Sequence, residues 1–168
     1  VVSDSKGVVA AASAEVIIVT RDGKLPVSDG DFLAGHYSRG HTLRFDGGVS
    51  IAASASPSVV RAPWSVEAAV DPEEMFVAAL SSCHMLWFLD LARHAGIVVE
   101  AYVDEAEGVM GRLERGKMAV TRVVLRPRLT LAAPADEALI AELHHKAHEA
   151  CFIANSVKTE IVVEPQAA

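Results

Sequence analysis

Cysteine is a rare nucleophile in this sequence: there are two in 168 residues. Cys83 lies in Ala79-Leu80-Ser81-Ser82-Cys83-His84-Met85, and Cys151 in His148-Glu149-Ala150-Cys151-Phe152-Ile153-Ala154-Asn155-Ser156. Each sits in or beside an expected helix, among apolar neighbours and with an acid within a few turns. That setting suits a redox pair better than a surface crosslink. A thiol becomes a nucleophile only when its thiolate is steadied by a cation, a helix N-terminus or hydrogen bonds. In a helix running unbroken from Pro72, Cys83 falls in the middle, where the dipole does little. Ser81 and Ser82 can compete locally for backbone hydrogen bonds, and a break there is the alternative that would put Cys83 in the first turn of a second helix. His84 is next in sequence but turned about 100° away on a helix, so it need not face the sulfur.

The two cysteines are 68 positions apart, which excludes a C-x-x-C redox motif. They can meet only if the fold packs their helices together, within the roughly 4.4–6.8 Å Cα separation that a disulfide requires. With an acid and an arginine beside it, such a pair suits peroxide chemistry. The thiolate attacks the O–O bond to give a sulfenic acid, which condenses with the second thiol before further oxidation. The histidines offer a different chemistry. His144 and His148 stand one turn apart and Cys151 lies three residues on. A zinc site with His145, His84 or Glu149 nearby is therefore geometrically open. A cysteine locked as a ligand would be lost as a nucleophile, and histidine-rich exposed helix faces are common. No metal is therefore assigned.

Composition narrows the classes. Fifteen Lys and Arg against 22 Asp and Glu give a net charge of −7. No basic stripe exists to neutralise phosphates, so a nucleic-acid partner is not expected. With 51% hydrophobic residues, the chain has the makings of one globular domain with a real core. The apolar stretch from Val8 to Val19 carries Glu15 and is too short to span a bilayer. Only Lys6 precedes it, which is a poor signal-peptide start. The expectation is a soluble cytoplasmic protein without a membrane partner, where two cysteines are more often catalytic or redox-active than structural.

These residues need elements to hold them. Glu15–Thr20 reads as a strand and Arg21-Asp22-Gly23-Lys24 as a turn. His41–Phe45 and Val49–Ala53 alternate about Asp46-Gly47-Gly48, a hairpin pattern, and Pro57–Val70 is a connecting loop. Asp71 as N-cap, Pro72 at the first helical position and Glu74 closing a capping box start a helix that runs to about His94, with Gly96 as its stop. That helix is apolar over most of its surface and must be buried nearly all round, by a sheet or by a partner subunit. Ile97–Met110 and Ala119–Leu131 read as strands, Pro134–Ala150 as a second helix and Val157–Val163 as a last strand. Strands grouped in runs indicate an α+β fold with mainly antiparallel pairing.

Taken together, Asp71-Pro72-Glu73-Glu74, then Cys83 ten residues after Glu73 in Ala-Leu-Ser-Ser-Cys-His, then Cys151-Phe152-Ile153-Ala154-Asn155-Ser156, resemble the OsmC/Ohr family of thiol peroxidases. The resemblance covers roughly residues 35–165. It implies antiparallel sheets packed around two long central helices in an intertwined homodimer, with residues 31–168 as the domain and 1–30 as an extra strand or arm. It further implies reduction of organic hydroperoxides, more readily than hydrogen peroxide, in oxidative-stress defence and without metal, haem or flavin. Cys83 would be the peroxidatic cysteine, Cys151 the resolving one, and Glu73 the acid that orients an arginine over the thiolate. Arg39 is the first choice for that arginine, Arg61 the fallback and Arg44 third; the role wants a planar, permanently charged guanidinium. The reductant would be a dithiol, notably a protein-bound lipoyl group. The alternatives are a non-catalytic stress-related protein of the same fold that binds a hydrophobic small molecule, and the zinc-binding domain described above. His84 departs from the family pattern, in which an aromatic often follows the first cysteine.

Overall fold

The computed structural model of the chain describes residues 13–18 and 27–166. The sequence-predicted turn at 21–24 and half of the apolar stretch at 8–19 lie outside them. The chain divides into two compact units, Val1–Pro72 and Glu73–Ala168.

In the first unit, β1 (Ala14–Ile17), β2 (His41–Phe45) and β3 (Ser50–Ala53) form an antiparallel sheet in the order β1-β2-β3. The hairpin read from the sequence is there. Gly48 takes φ +87°, the left-handed conformation that a three-residue hairpin loop requires at its last position. Its N–H and that of Phe45 close the loop on Phe45 O and Val49 O, both at 2.9 Å. A short helix that was not expected, α1 (Asp29–Leu33), is capped by Ser28, whose hydroxyl accepts from Asp31 N at 3.1 Å. The loop after β3 is tied back through buried Ser54, whose Oγ accepts from Val66 N at 3.0 Å.

The second unit is built on α2 (Pro72–His94) and α3 (Glu137–Ala150). α2 ends where Gly96 was expected to stop it. Gly96 adopts φ +75°, its N–H bonds Arg93 O at 3.2 Å, and Ile97 N bonds Ala92 O at 2.9 Å. This is a Schellman arrangement. α3 begins at Asp136, whose carboxylate caps Ala138 N at 3.0 Å. The two long strand-like runs of the sequence are each divided in the structure. The first gives β4 (Val99–Asp104) and β5 (Glu107–Arg112), the second β6 (Met118–Leu125) and β7 (Pro127–Leu131). β4 pairs with β7 and β5 with β6, so one long ribbon is broken into two sheets at Glu105-Ala106 and Arg126. The Asp104 carboxylate makes that break. It accepts the backbone N–H of Arg126 at 2.6 Å, and the next residue, Pro127, has no N–H to continue the ladder. β8 (Glu160–Val163) adds to β6 in parallel, the one parallel strand pair among mainly antiparallel ones in the described residues.

Two apolar clusters hold α2 in place. Leu80 packs with Val123 and Leu125 of β6, and Phe88 and Ala92 with Leu143 and Ala147 of α3. The residues α2 buries are Leu80, His84, Phe88 and Ala92, a single stripe of four-residue spacing. The expectation of burial nearly all round therefore fails within this chain. Only 22% of its most apolar 18-residue window is buried, and Leu86 stays 62% exposed. α2 is long and apolar enough to cross a bilayer. Its stripe is nevertheless fastened into the core of a folded unit, as a core helix is.

Gly108 in β5 marks how closely α2 approaches the sheet: a Cβ there would stand 2.7 Å from Val77 Cγ2. Valine is stiff at χ1 in a helix, so the methyl cannot step aside cheaply. Gly108→Ala should cost about 1–3 kcal/mol by overpacking, and Val77→Ala in the same chain should recover part of the loss. Urea unfolding of the two single variants and the double variant tests this; simply additive losses would mean the two positions do not touch.

Candidate functional site

The first correction concerns Cys83. α2 runs without interruption from Pro72 to His94, so the alternative of a break at Ser81-Ser82 falls away and Cys83 stands mid-helix. The reason is tertiary: Ser81 does not compete with its own backbone but donates its hydroxyl to Asp104 Oδ2 at 2.5 Å. Asp104 thus holds both α2 and the Arg126 break in the ribbon. A helix N-terminus does not activate Cys83, which is partly exposed along the helix.

Cys151 is the C-cap of α3, 1% exposed. Its surroundings are fixed by the turn that follows. Asn155 Nδ2 donates to Glu149 O at 2.8 Å and Cys151 O at 3.0 Å. Those carbonyls are ones that the helix end leaves open. Ala154 N–H donates to the Cys151 sulfur at 3.4 Å. Cys83 is near enough to act on the Cys151 thiol, so the fold brings the two residues into one neighbourhood across 68 positions. Burial pushes the Cys151 thiol up to about 11, opposed by the Ala154 and Ile153 N–H groups and reinforced by the adjacent Cys83. Trp87 and Phe152, edge to face at 5.4 Å, stand on the same two segments.

Glu73 is half-buried in the first turn of α2, where an acid complements the dipole. Ten residues of helix place it about 15 Å along the axis from Cys83. Its carboxylate can influence that sulfur only through a long intermediary, the part that the family resemblance gives to an arginine. The candidate arginines lie in the first unit. Arg39 donates from Nη1 to Gly35 O at 2.7 Å and Tyr37 O at 2.5 Å, with its guanidinium 3.8 Å from the centre of the Tyr37 ring. That is a cation–π contact. Arg61 is exposed, and Arg44 pairs with Glu15 at 3.2 Å.

The histidines do not gather as a zinc site requires. His144 is buried against His84, while His145 faces outward beside Glu149 at 3.5 Å. Among the described residues no group of three or more His, Cys, Asp or Glu converges as metal ligands would. What the sequence did not disclose is the pair itself. His84 Nε2 and His144 Nδ1 lie 3.1 Å apart, 60 positions apart in sequence, and His144 stacks on Phe88 with ring centres 4.1 Å apart. The four-residue spacing Leu80, His84, Phe88 was a signal that His84 faces the core. Burial lowers both rings to about 4; His148 lowers His84 further while Asp104 opposes, and His84 lowers His144.

The profile of the family described as OsmC-like protein matches residues 65–166. An OsmC-like protein of unknown function from Vibrio cholerae matches over 100% of its own length and 94% of this chain at 49% identity, TM-score 0.85. An organic hydroperoxide resistance protein from Elizabethkingia anophelis shares the fold at 17% identity, with a TM-score of 0.67 over 96% of this chain and 97% of that one. The uncharacterised protein YmaD of Bacillus subtilis is 24% identical over 101 residues, 58% of this chain and 67% of its own.

The buried imidazole pair makes stability depend on pH. Well above pH 6.5 both rings are neutral in the folded and the unfolded chain. Between 6.5 and about 4 the unfolded chain takes up protons that the folded pair refuses. Stability therefore falls as pH falls through that window. Urea midpoints measured on either side of the unfolded-state midpoint, from neutral pH down into the window, should drop less in His84→Gln/His144→Gln than in the parent, even though the double variant starts lower. Parallel curves would exclude the pair as the cause.

Proposed function

This chain belongs to the OsmC-like protein family, and on that premise we propose that it is a thiol-dependent peroxidase that reduces organic hydroperoxides to alcohols in the cytoplasm. Family and fold support a redox or stress role. The observation that carries the finer reading is that Cys83 and Cys151 are neighbours in the fold, one partly exposed and the other enclosed.

Their unequal settings assign the roles. Cys83 is the sulfur a substrate can reach. As thiolate it attacks the terminal oxygen of ROOH; the O–O bond breaks, RO⁻ leaves and takes a proton as the alcohol, and Cys83 becomes a sulfenic acid. Cys151, held as a thiol by burial, keeps its proton for the second step. Its sulfur bonds to Cys83, and the proton goes to the departing hydroxide as water. An external dithiol, of the protein-bound lipoyl class, reopens the disulfide by exchange. Glu73 and Arg39, or Arg61 in its place, are assigned to steadying the thiolate. No metal, haem or flavin enters this cycle.

The exposed apolar flank of α2 supports a homodimer, because a soluble chain rarely leaves so much of a core helix uncovered. Sedimentation of the purified protein should return twice the chain mass.

Cys83→Ser should abolish hydroperoxide consumption. Cys151→Ser should complete one turnover and then stall or overoxidise. Stopped-flow traces with cumene hydroperoxide, with thiols counted before and after, should show two thiols lost per oxidised parent chain. Steady-state rates in Cys151→Ser equal to the parent's would remove the resolving role, and an inert parent would remove the peroxidase reading.

A further inference from the structure

The cysteine chemistry leaves one buried polar pair beside it unused. His84 follows Cys83 on α2, and His144 lies seven residues before Cys151, within about 20° of two full turns of α3. Each helix therefore carries one cysteine and one of these histidines, and His84 Nε2 meets His144 Nδ1 at 3.1 Å. The ring planes are 3° apart and the ring centres 5.4 Å apart. That is the longest spacing such a nitrogen contact allows, so the rings meet end to end, with N–H and lone pair in line. Phe88 backs the His144 ring, centre to centre at 4.1 Å.

Stability does not account for this pair. The residues are only 1% and 3% exposed, and His84 Nδ1 and His144 Nε2 have no hydrogen-bond partner among the described residues. Orphaned nitrogens are destabilising, and apolar groups of the same shape in place of both partners are nearly neutral or better. What a hydrogen bond adds is direction, which apolar contacts lack. Phe88 and Ala92 against Leu143 and Ala147 set how far along one another the helices sit, but fix their roll less sharply. At a side-chain radius of about 5–6 Å, a roll of about 20° moves an atom by about 2 Å. That breaks the imidazole bond and carries a sulfur off its line of attack by the same amount.

We propose that His84 and His144 are positioning residues for the resolving step: their bond holds α2 and α3 in the roll at which Cys151 reaches Cys83. The assignment rests on the reading of the two cysteines as a redox pair. In that step the S–S bond forms as the Cys83 S–O bond breaks, and the Cys151 proton leaves with the hydroxide as water. The imidazoles exchange no proton in it. They act through the helices that carry the sulfurs.

The test puts dithiodipyridine in place of the hydroperoxide, so it needs no peroxidase activity and does not fail with the peroxidase reading. Cys83 attacks the reagent's disulfide and releases one thiopyridone. Cys151 then attacks the mixed disulfide, closing the Cys83–Cys151 bond and releasing a second. Stopped-flow absorbance separates the two: the first phase scales with reagent concentration and the second should not. His144→Leu should leave the first phase within about twofold of the parent and slow the second at least tenfold. His144→Asn, whose amide stands where Nδ1 did, should bring the second phase back to within about threefold. Leu143→Ala weakens the same seam without removing the bond. It should lower the urea midpoint at least as far as His144→Leu, yet slow the second phase less than about threefold. Circular dichroism checks that each variant is folded; His84→Leu carries the test if His144→Leu is not. The proposal is overturned if the second phase is indifferent to loss of the bond, or if it follows the urea midpoint whether or not the bond is kept. A parent chain that releases only one thiopyridone overturns it too, together with the cysteine pairing itself.

Discussion

The packing of α2 against α3 is the constraint on which the rest of the second unit depends. Three layers of side chains meet along that seam: Cys83 with Cys151, then His84 and Phe88 with His144, then Ala92 with Leu143 and Ala147. Burying Phe88 and Leu143 contributes about 1.5–3 kcal/mol each, and the apolar layer fixes the register in which the sulfurs meet. Slide one helix by a turn and about 5.4 Å separates groups now in contact. The thiols have no pairing motif of their own; the core supplies it.

The same seam sets the electrostatics. A thiol at a helix C-terminus, enclosed and beside a second sulfur, holds its proton more firmly than a free cysteine does. One turn away the imidazoles are held neutral by the same exclusion of water. Asp104 stands at the edge of this region and ties three elements together: it takes the Ser81 hydroxyl from α2 and the Arg126 N–H from the break between β6 and β7. By contrast, Arg122 and Arg126 among Glu107, Glu160 and Glu164 form a solvated face on β5, β6 and β8. Such exposed pairs carry little energetic weight.

Relatives and residues speak to different levels of the problem. The Vibrio cholerae protein, at 49% identity, fixes fold and family but is itself of unknown function. The hydroperoxide resistance protein, at 17%, shares the fold alone. The chemical assignment therefore stands on the two sulfurs and their unequal burial. His84, next in sequence to Cys83, is committed to the core by its partner His144.

What the sequence alone determined was local in origin. The hairpin about Asp46-Gly47-Gly48 and the start of α2 at Pro72 and its stop at Gly96 are present, and the second helix, read from Pro134, starts three residues later at Glu137 behind its cap Asp136. Each follows from backbone freedom, a missing N–H or a short capping side chain acting within a few residues. The family was legible too, because it is carried by two short motifs. Tertiary structure decided whatever depends on partners remote in the chain. Ser81 reads as a helix breaker until Asp104, 23 residues on, takes its hydroxyl. Two long strands become four because one carboxylate captures a backbone N–H 22 residues away. His144 looks like a candidate ligand until His84, 60 residues back, occupies its nitrogen. In each case the polar group could be satisfied in more than one way, and only the assembled core selects which.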